Sequence, residues 1–118
     1  VTGKALADKY GFSWCDESSI SEIVGADVLV NVTPLGMSGG NEGQQSFPEE
    51  MVERSTVVFD VIAMPIETPL YEMGVKHNKA IITGMEIMAL QAAIQFELYT
   101  GITLTPDQVK RAAEFSRQ

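Results

Sequence analysis

The stretch NVTPLGMSGG, residues 31–40, decides the fold, because an apolar run ends there abruptly in proline and glycine. The run that leads into it, ADVLVNV (26–32), lacks the alternation of polar and apolar residues that marks a strand with one solvated face. We therefore interpret it as a strand buried on both faces, which is the kind of strand found in parallel sheets.

Composition limits the classes of protein that this chain can represent. Its 118 residues are 45% hydrophobic, which is enough for one compact domain but not for two. The formal net charge of -8, with scattered cations, disfavours binding to nucleic acid. The single Cys15 excludes an intrachain disulfide. No apolar run approaches the ~20 residues of a membrane span, and the first residues do not resemble a secretion signal, so we expect a soluble cytoplasmic protein without a membrane partner.

Short helices and strands are predicted to alternate along the chain. Capping residues mark helix starts at Thr68, which precedes a proline, and at Thr105, whose side chain is expected to form a capping box with Gln108. The predicted helices cover 2–10, a turn that begins at Ser18 or Ser19, 48–53, 68–78, 85–99 and a last segment from 105. The predicted strands are 12–15, 27–32, 56–62 and 80–83. This order predicts an α/β fold, a partial Rossmann-type doubly wound parallel sheet flanked by helices.

Three predicted strands end alike, each changing from apolar residues to proline, glycine or a small polar residue. These ends are NVTPLG (31–36), FDVIAMP (59–65) and IITG (81–84). In open parallel sheets, ligands bind in a crevice beyond the carboxyl ends of the strands, so we expect these segments to line one crevice. The alternative is that proline and glycine here do no more than end the strands.

Gln91 interrupts an apolar stripe of the long predicted helix. With 3.6 residues per turn, Ile87, Gln91, Ile94 and Leu98 share one side. A polar face at Glu86, Ala93 and Glu97 would lie opposite, so we expect the Gln91 amide to be buried and to need partners, either neighbouring backbone or a polar ligand. Gly84, just before the stripe, favours a ligand, because a residue without a side chain lets a flat ring approach the backbone.

Three other residues carry reactive or titratable groups. Asp60 lies within an apolar strand, where it either bonds adjacent backbone amides and shapes the crevice or takes part in catalysis; we favour the first. Cys15 is interpreted as a core residue of a strand rather than a nucleophile. His77 is expected to be a solvated imidazole at a helix carboxyl end, and no second histidine or cysteine is spaced for a metal site.

Three segments together resemble the carboxyl-terminal half of the shikimate dehydrogenase family. They are NVTPLGM (31–37), FDVIAMPIETPL (59–70) and TGMEIMALQAAIQFELYTG (83–101). The family typically shows Asn-Ala-Thr-Pro-Leu-Gly-Met, then Asp-Val-x-Tyr-x-Pro-x-x-Thr-Pro-Leu, then a Gly-x-x-Met helix with a Gln-Ala pair. Their order and spacing match across nearly the whole chain.

This resemblance implies an oxidoreductase that transfers a hydride between NADP or NAD and 3-dehydroshikimate/shikimate or a related cyclohexene acid, in aromatic amino-acid biosynthesis or a related pathway. It places Thr33, Val61 and Gly84 along the nicotinamide, and Gln91 near a hydroxyl of the substrate ring. The usual tyrosine falls on Ala63 in the substrate pocket. The usual methionine beside the nicotinamide falls on Ile87, so a divergent branch is implied.

Full members of the family also carry a substrate domain with a catalytic lysine and aspartate, a glycine-rich phosphate loop and an Asn-Arg pair, none of which occurs in residues 1–118. We therefore expect 1–118 to be a single domain, the later part of a dinucleotide-binding domain in a longer protein. We expect it to contain no catalytic residue and to be inactive alone.

Two other functions stay open at this point. One is a different nicotinamide-dependent oxidoreductase of similar plan, linked to tetrahydrofolate or glutamyl-tRNA. The other is a non-catalytic α/β half-domain whose exposed sheet edge pairs with a partner, a second copy of the chain included. A homodimer would favour the half-domain.

Overall fold

A computed structural model describes residues 2–23 and 25–115 of the chain. Within these residues, helices and strands follow one another in an α/β order. The helices are α1 (Gly3–Tyr10), α2 (Glu49–Arg54), α3 (Pro69–Lys76), α4 (Gly84–Thr100) and α5 (Pro106–Phe115), with a 3-10 turn at Glu17–Glu22. The strands are β1 (Val28–Asn31), β2 (Val57–Asp60) and β3 (Ala80–Thr83).

The three strands form one parallel sheet in the order β1-β2-β3. Their register places Asn31 beside Asp60, and Asp60 beside Thr83, at the carboxyl ends. Helices separate the strands in sequence, as parallel connections require. The predicted class, a partial Rossmann-type parallel sheet with flanking helices, is confirmed.

The core lies on one face of this sheet. Val58 of β2 is fully buried there, in a cluster with Leu29, Met51, Val52 and Leu70 that draws α2 and α3 onto this face. The opposite side of β1 is exposed at Val28 and Val30. The prediction that β1 is buried on both faces is therefore wrong for this chain, because the helices that join the cluster cover only one of them.

Helix starts agree closely with the capping signals. The Thr68 hydroxyl accepts a hydrogen bond from the Tyr71 amide at 3.1 Å, and Thr105 exchanges hydrogen bonds with Gln108. Helix α4 begins at Gly84, one residue earlier than predicted, because Thr83 forms a capping box with Glu86. The 3-10 turn begins after Asp16, which accepts from the Ser19 amide, and not at Ser18 or Ser19.

Residues 12–15 form neither a strand nor a helix, so the strand predicted there is wrong. Helix α1 ends at Gly11 in a left-handed conformation, and Asp16 already caps the following turn. Residues 12–15 connect these two caps and pair with none of the three strands of the sheet. Cys15 is consequently exposed, which also overturns its interpretation as a core residue.

Candidate functional site

The carboxyl ends of the three strands lie side by side at one edge of the sheet. Because Asn31, Asp60 and Thr83 are register partners, the residues that follow each strand leave the sheet at the same edge. The segments that begin at Val32, Val61 and Gly84 therefore share this edge, as predicted from their sequence. This arrangement is where open parallel sheets bind ligands.

A buried polar pair connects the first two strand ends. Asn31 and Asp60 are 1% and 2% exposed, and the Asn31 Nδ2 donates to Asp60 Oδ1 at 3.1 Å. The same Nδ2 also donates to the Leu35 carbonyl at 3.2 Å, and the same Asp60 oxygen accepts from the Ile62 amide at 3.2 Å. The favoured interpretation of Asp60, a carboxylate that bonds adjacent backbone and shapes the crevice, agrees with these contacts.

Two threonines extend this pair in opposite directions. The Thr33 hydroxyl and amide both donate to Asn31 Oδ1, at 2.7 Å and 3.0 Å. The Thr68 hydroxyl donates to Asp60 Oδ2 at 2.5 Å while it caps α3. A continuous set of hydrogen bonds therefore runs from the turn after β1 to the first turn of α3.

Sequence reasoning did not single out Asn31 or the link from Thr68 to Asp60. A signal for Asn31 was present, since it is a polar residue within an apolar run, as Asp60 is. Pairing the two requires the strand register, because they are 29 residues apart in sequence.

Gly84 lies directly against the segment that follows β2. A Cβ atom built on Gly84 would contact the Val61 carbonyl oxygen and would lie 2.5 Å from the Ile62 carbonyl group. The lack of a side chain at Gly84 is thus required by packing within the chain, whether or not a flat ring approaches it. The contact joins two of the predicted cofactor residues, Val61 and Gly84.

On α4, three of the four residues of the stripe that contains Gln91 face outward, and the fourth, Ile87, is half-buried. Gln91 is exposed, and Ile94 and Leu98 are 60% and 77% exposed. The expectation that the Gln91 amide is buried is therefore wrong, because α5 packs against a different side of α4 that includes Ala93. Ala93 is half-buried, so the opposite face is not the polar face that was predicted.

An apolar cavity of about 710 Å³ opens beside the strand ends, between α4, α5 and the segments after β1 and β2. Ala63, the predicted substrate contact, lines this cavity and is half-buried. Most of its other walls are methionine or small apolar side chains. Lining residues that come from three different segments are Met37, Met64, Met85, Met88 and Phe96.

The structure places His77 away from the carboxyl edge of the sheet, at the end of α3. Its Nε2 lies 2.8 Å from Glu49 Oε1, and 19% of its side chain is exposed, so it is less solvated than predicted. The Lys76 ammonium donates to the same carboxylate at 2.6 Å. These bonds, that of Lys76 first, lower the pKa of Glu49 below its ordinary value.

Within residues 2–23 and 25–115, no three histidine, cysteine, aspartate or glutamate side chains are grouped so as to hold a metal ion. In the same part of the chain, no helix has the length and apolar character that crossing a membrane requires.

Comparison with known proteins gives this arrangement a family context. No family model matches the sequence. A shikimate dehydrogenase-like protein of Haemophilus influenzae is 39% identical over 117 residues, which cover 98% of this chain and 42% of that protein. This chain is homologous to the shikimate dehydrogenase family. It spans less than half the length of the shikimate dehydrogenases it matches.

Solved structures of the family share the fold. A shikimate 5-dehydrogenase-like protein, 38% identical, superimposes with a TM-score of 0.90 over 98% of this chain and 42% of the other. The shikimate 5-dehydrogenase of Thermus thermophilus, in complex with NADP(H) and shikimate, is 26% identical, with a TM-score of 0.75 over 94% of this chain and 41% of that one. The Rossmann-like architecture of shikimate dehydrogenases is thus shared by residues 2–23 and 25–115 of this chain.

Proposed function

We propose that the protein containing this chain transfers a hydride between NADP and 3-dehydroshikimate/shikimate or a related cyclohexene acid, as a cytoplasmic enzyme of aromatic amino-acid biosynthesis or a related pathway. The observation that carries the proposal is the shared edge of Thr33, Val61 and Gly84 in a chain 39% identical to a shikimate dehydrogenase-like protein. The relative from Thermus thermophilus is in complex with NADP(H) and shikimate, which supports the choice of NADP.

The residues at this edge suit a flat, partly apolar ring. Val61 is 42% exposed, and Ile87 is half-buried one turn into α4. The nicotinamide, when bound, supplies or accepts the hydride. The chain contributes a rigid surface, since Gly84 is packed tightly on the Val61 and Ile62 backbone. Such a rigid surface helps to hold two reacting atoms in line.

We assign Gln91 and Ala63 to the substrate side. The Gln91 amide is exposed on α4, so it is available to bond a ring hydroxyl without first breaking a buried contact. Ala63 lines the apolar cavity with a single methyl group, where the family usually has a tyrosine. This pocket accordingly has room for a substituent that a tyrosine would exclude.

We assign no proton transfer to Asp60. It is buried, and its two oxygens already accept hydrogen bonds from Asn31, Ile62 and Thr68. We propose that the acid-base groups of the reaction are those of the substrate domain that full members of the family carry, which the contacts of Asp60 support. The inactivity of the isolated chain stays a prediction.

The experiment is a steady-state assay of the complete protein. NADPH or NADH is supplied with 3-dehydroshikimate, and oxidation of the nucleotide is followed by its absorbance. We expect turnover with NADPH and a lower kcat/KM with NADH. Turnover of another carbonyl substrate in preference to cyclohexene acids would contradict the substrate assignment. Failure to bind either nucleotide would contradict the oxidoreductase itself.

A second candidate is favoured by one observation, the open edge of the sheet. Among the described residues, β1 pairs only with β2, and Val28 and Val30 are exposed beside that edge. Unpaired strand edges attract other strands. A homodimer of the complete protein that lacks turnover would support this non-catalytic role, and a catalytically active monomer would exclude it.

A further inference from the structure

We propose that Asp60 is a positioning residue, which acts through the Asn31 amide to hold Thr33 at the cofactor crevice. The inference rests on the proposed function, because Thr33 is a cofactor contact only in that proposal. The observations that support it are the hydrogen bonds among these three residues and the burial of Asn31 and Asp60 at the ends of β1 and β2.

The Asp60 carboxylate sets the orientation of the Asn31 side chain. Asp60 accepts hydrogen bonds from Asn31, Ile62 and Thr68, whereas an amide side chain has one donating end and one accepting end. The Asp60 carboxylate therefore selects the NH₂ end of Asn31, at 3.1 Å. Asn31 Oδ1 is left to face the turn after β1.

This orientation of Asn31 holds Thr33 in place. Asn31 Oδ1 accepts from both the amide and the hydroxyl of Thr33, at 3.0 Å and 2.7 Å. The Thr33 hydroxyl in turn accepts from the Leu35 amide at 3.3 Å. The hydroxyl proton is thereby directed at Asn31 Oδ1, and the Thr33 oxygen keeps one lone pair that it can offer to a donor of a bound ligand.

Asn31 and Asp60 also hold the segment that follows β2. The Ile62 amide donates to Asp60 Oδ1 at 3.2 Å, and the Val61 amide donates to the backbone carbonyl oxygen of Asn31 at 3.1 Å. The Asp60 carboxylate therefore contacts both segments, since it reaches Thr33 through the Asn31 side chain and the segment after β2 through the Ile62 amide. A shift of Asp60 would move both surfaces of the crevice together.

The test uses the complete protein with Asp60→Asn. This change keeps the shape of the side chain but places an NH₂ group against one of the donors from Asn31, Ile62 or Thr68. We expect kcat to fall by roughly 10- to 100-fold, since a misplacement of about 1 Å can cost 10²-fold. We also expect KM for the nucleotide to rise, while KM for the cyclohexene acid stays within about twofold.

Ser55→Ala is the matched control for lost stability. Ser55 is 3% exposed and donates to the Val52 carbonyl at 2.9 Å, at the amino end of β2 and away from the crevice. The substitution Ser55→Ala removes this one buried hydrogen bond and leaves the contacts of Asn31 and Asp60 unchanged. We expect a lower thermal midpoint with kcat and both KM values within about twofold of the unmodified protein.

A double-mutant cycle with Thr33→Val decides whether Asp60 acts through Thr33. If it does, Asp60→Asn will reduce kcat much less in the Thr33→Val background than in the unmodified protein. Additive effects, or an Asp60→Asn variant that behaves like Ser55→Ala, would overturn the inference and leave the proposed function intact. An unmodified protein that binds no nicotinamide nucleotide would instead overturn the proposed function, and this inference with it.

Discussion

The Thr68 hydroxyl joins Asp60 to the first turn of α3. It donates to Asp60 Oδ2 at 2.5 Å and accepts from the Tyr71 amide at 3.1 Å, and Thr68 is fully buried. One side chain thus caps a helix and satisfies a buried carboxylate. The start of α3 and the end of β2 are stabilised by the same contact.

Replacing Thr68 with valine should therefore remove two contacts at once. We expect Thr68→Val to lower the free energy of unfolding by about 1–3 kcal/mol for the unsatisfied carboxylate oxygen, with about 1 kcal/mol more for the lost cap. Thr68→Ser retains the hydroxyl and should cost about 0.8 kcal/mol for the buried methyl group. Urea unfolding of the complete protein measures both, and equal losses would show that the hydroxyl contributes little.

Gly84 should not tolerate even one methyl group. Gly84→Ala would press a Cβ atom against the Val61 and Ile62 carbonyl groups, which are backbone and cannot rotate away. We expect a loss at the upper end of the roughly 1–3 kcal/mol typical of overpacked sites. Thermal unfolding measures this loss. Nucleotide affinity should fall as well, because the added methyl group would displace Val61, a proposed cofactor contact.

Gly3→Ala is the control for Gly84→Ala. Gly3 is the first residue of α1, as Gly84 is of α4, and its added Cβ would approach only the Trp14 side chain, at 3.4 Å. This change should be neutral or should stabilise by about 0.4–1 kcal/mol. Similar losses at both glycines would attribute the effect to the helix start and not to the contact with Val61.

Gln91→Ala should affect the substrate and not the fold. Because Gln91 is exposed, its removal should change the free energy of unfolding by no more than about 0.5 kcal/mol. In the complete enzyme, kcat/KM for the cyclohexene acid should fall roughly two- to tenfold, as expected for one hydrogen bond, with the nucleotide affinity unchanged. Gln95 lies one turn further along the same helix and is also exposed. Gln95→Ala should leave both kcat/KM for the cyclohexene acid and the nucleotide affinity unchanged. Unaltered substrate kinetics in Gln91→Ala would remove Gln91 from the site.

Glu49 should make the stability of the fold depend on pH, with a loss in acid. Hydrogen bonds from Lys76 and His77 lower its pKa in the folded state below 4.5, its ordinary value. The contribution of Glu49 to the free energy of unfolding is therefore fully present above its pKa in the unfolded chain. It is lost as the pH falls through its lower pKa in the folded state. Glu49→Gln should thus lower the urea midpoint at neutral pH, and the difference from the unmodified protein should shrink in acid.

Glu50→Gln is the control for Glu49→Gln, since Glu50 lies in the same first turn of α2 but in neither ion pair with Glu49's partners. We expect its urea midpoint to follow that of the unmodified protein from neutral pH into acid. A difference for Glu49→Gln that does not change with pH would show that the ion pairs do not stabilise the fold.

Features that depend on neighbours within a few residues were predictable from the sequence. Thr68 and Thr105 cap their helices as expected, because an N-cap bond spans only three residues. The three parallel strands were marked by apolar runs that end in small or polar residues. The family resemblance follows from the same local motifs, which keep their order along the chain.

Burial and long-range pairing were decided by the tertiary structure. Gln91 was expected to be buried and is exposed, because periodicity indicates which residues share a side and not which side is covered. Cys15 was expected to lie in a core strand and is exposed, because residues 12–15 form no strand. The pairing of Asn31 with Asp60, and the contact of Gly84 with Val61, depend on the register of strands far apart in sequence. The sequence by itself determined the order of helices, strands and caps through contacts a few residues long. Only the tertiary structure decided what meets at the strand ends, because those contacts form when distant segments pack together.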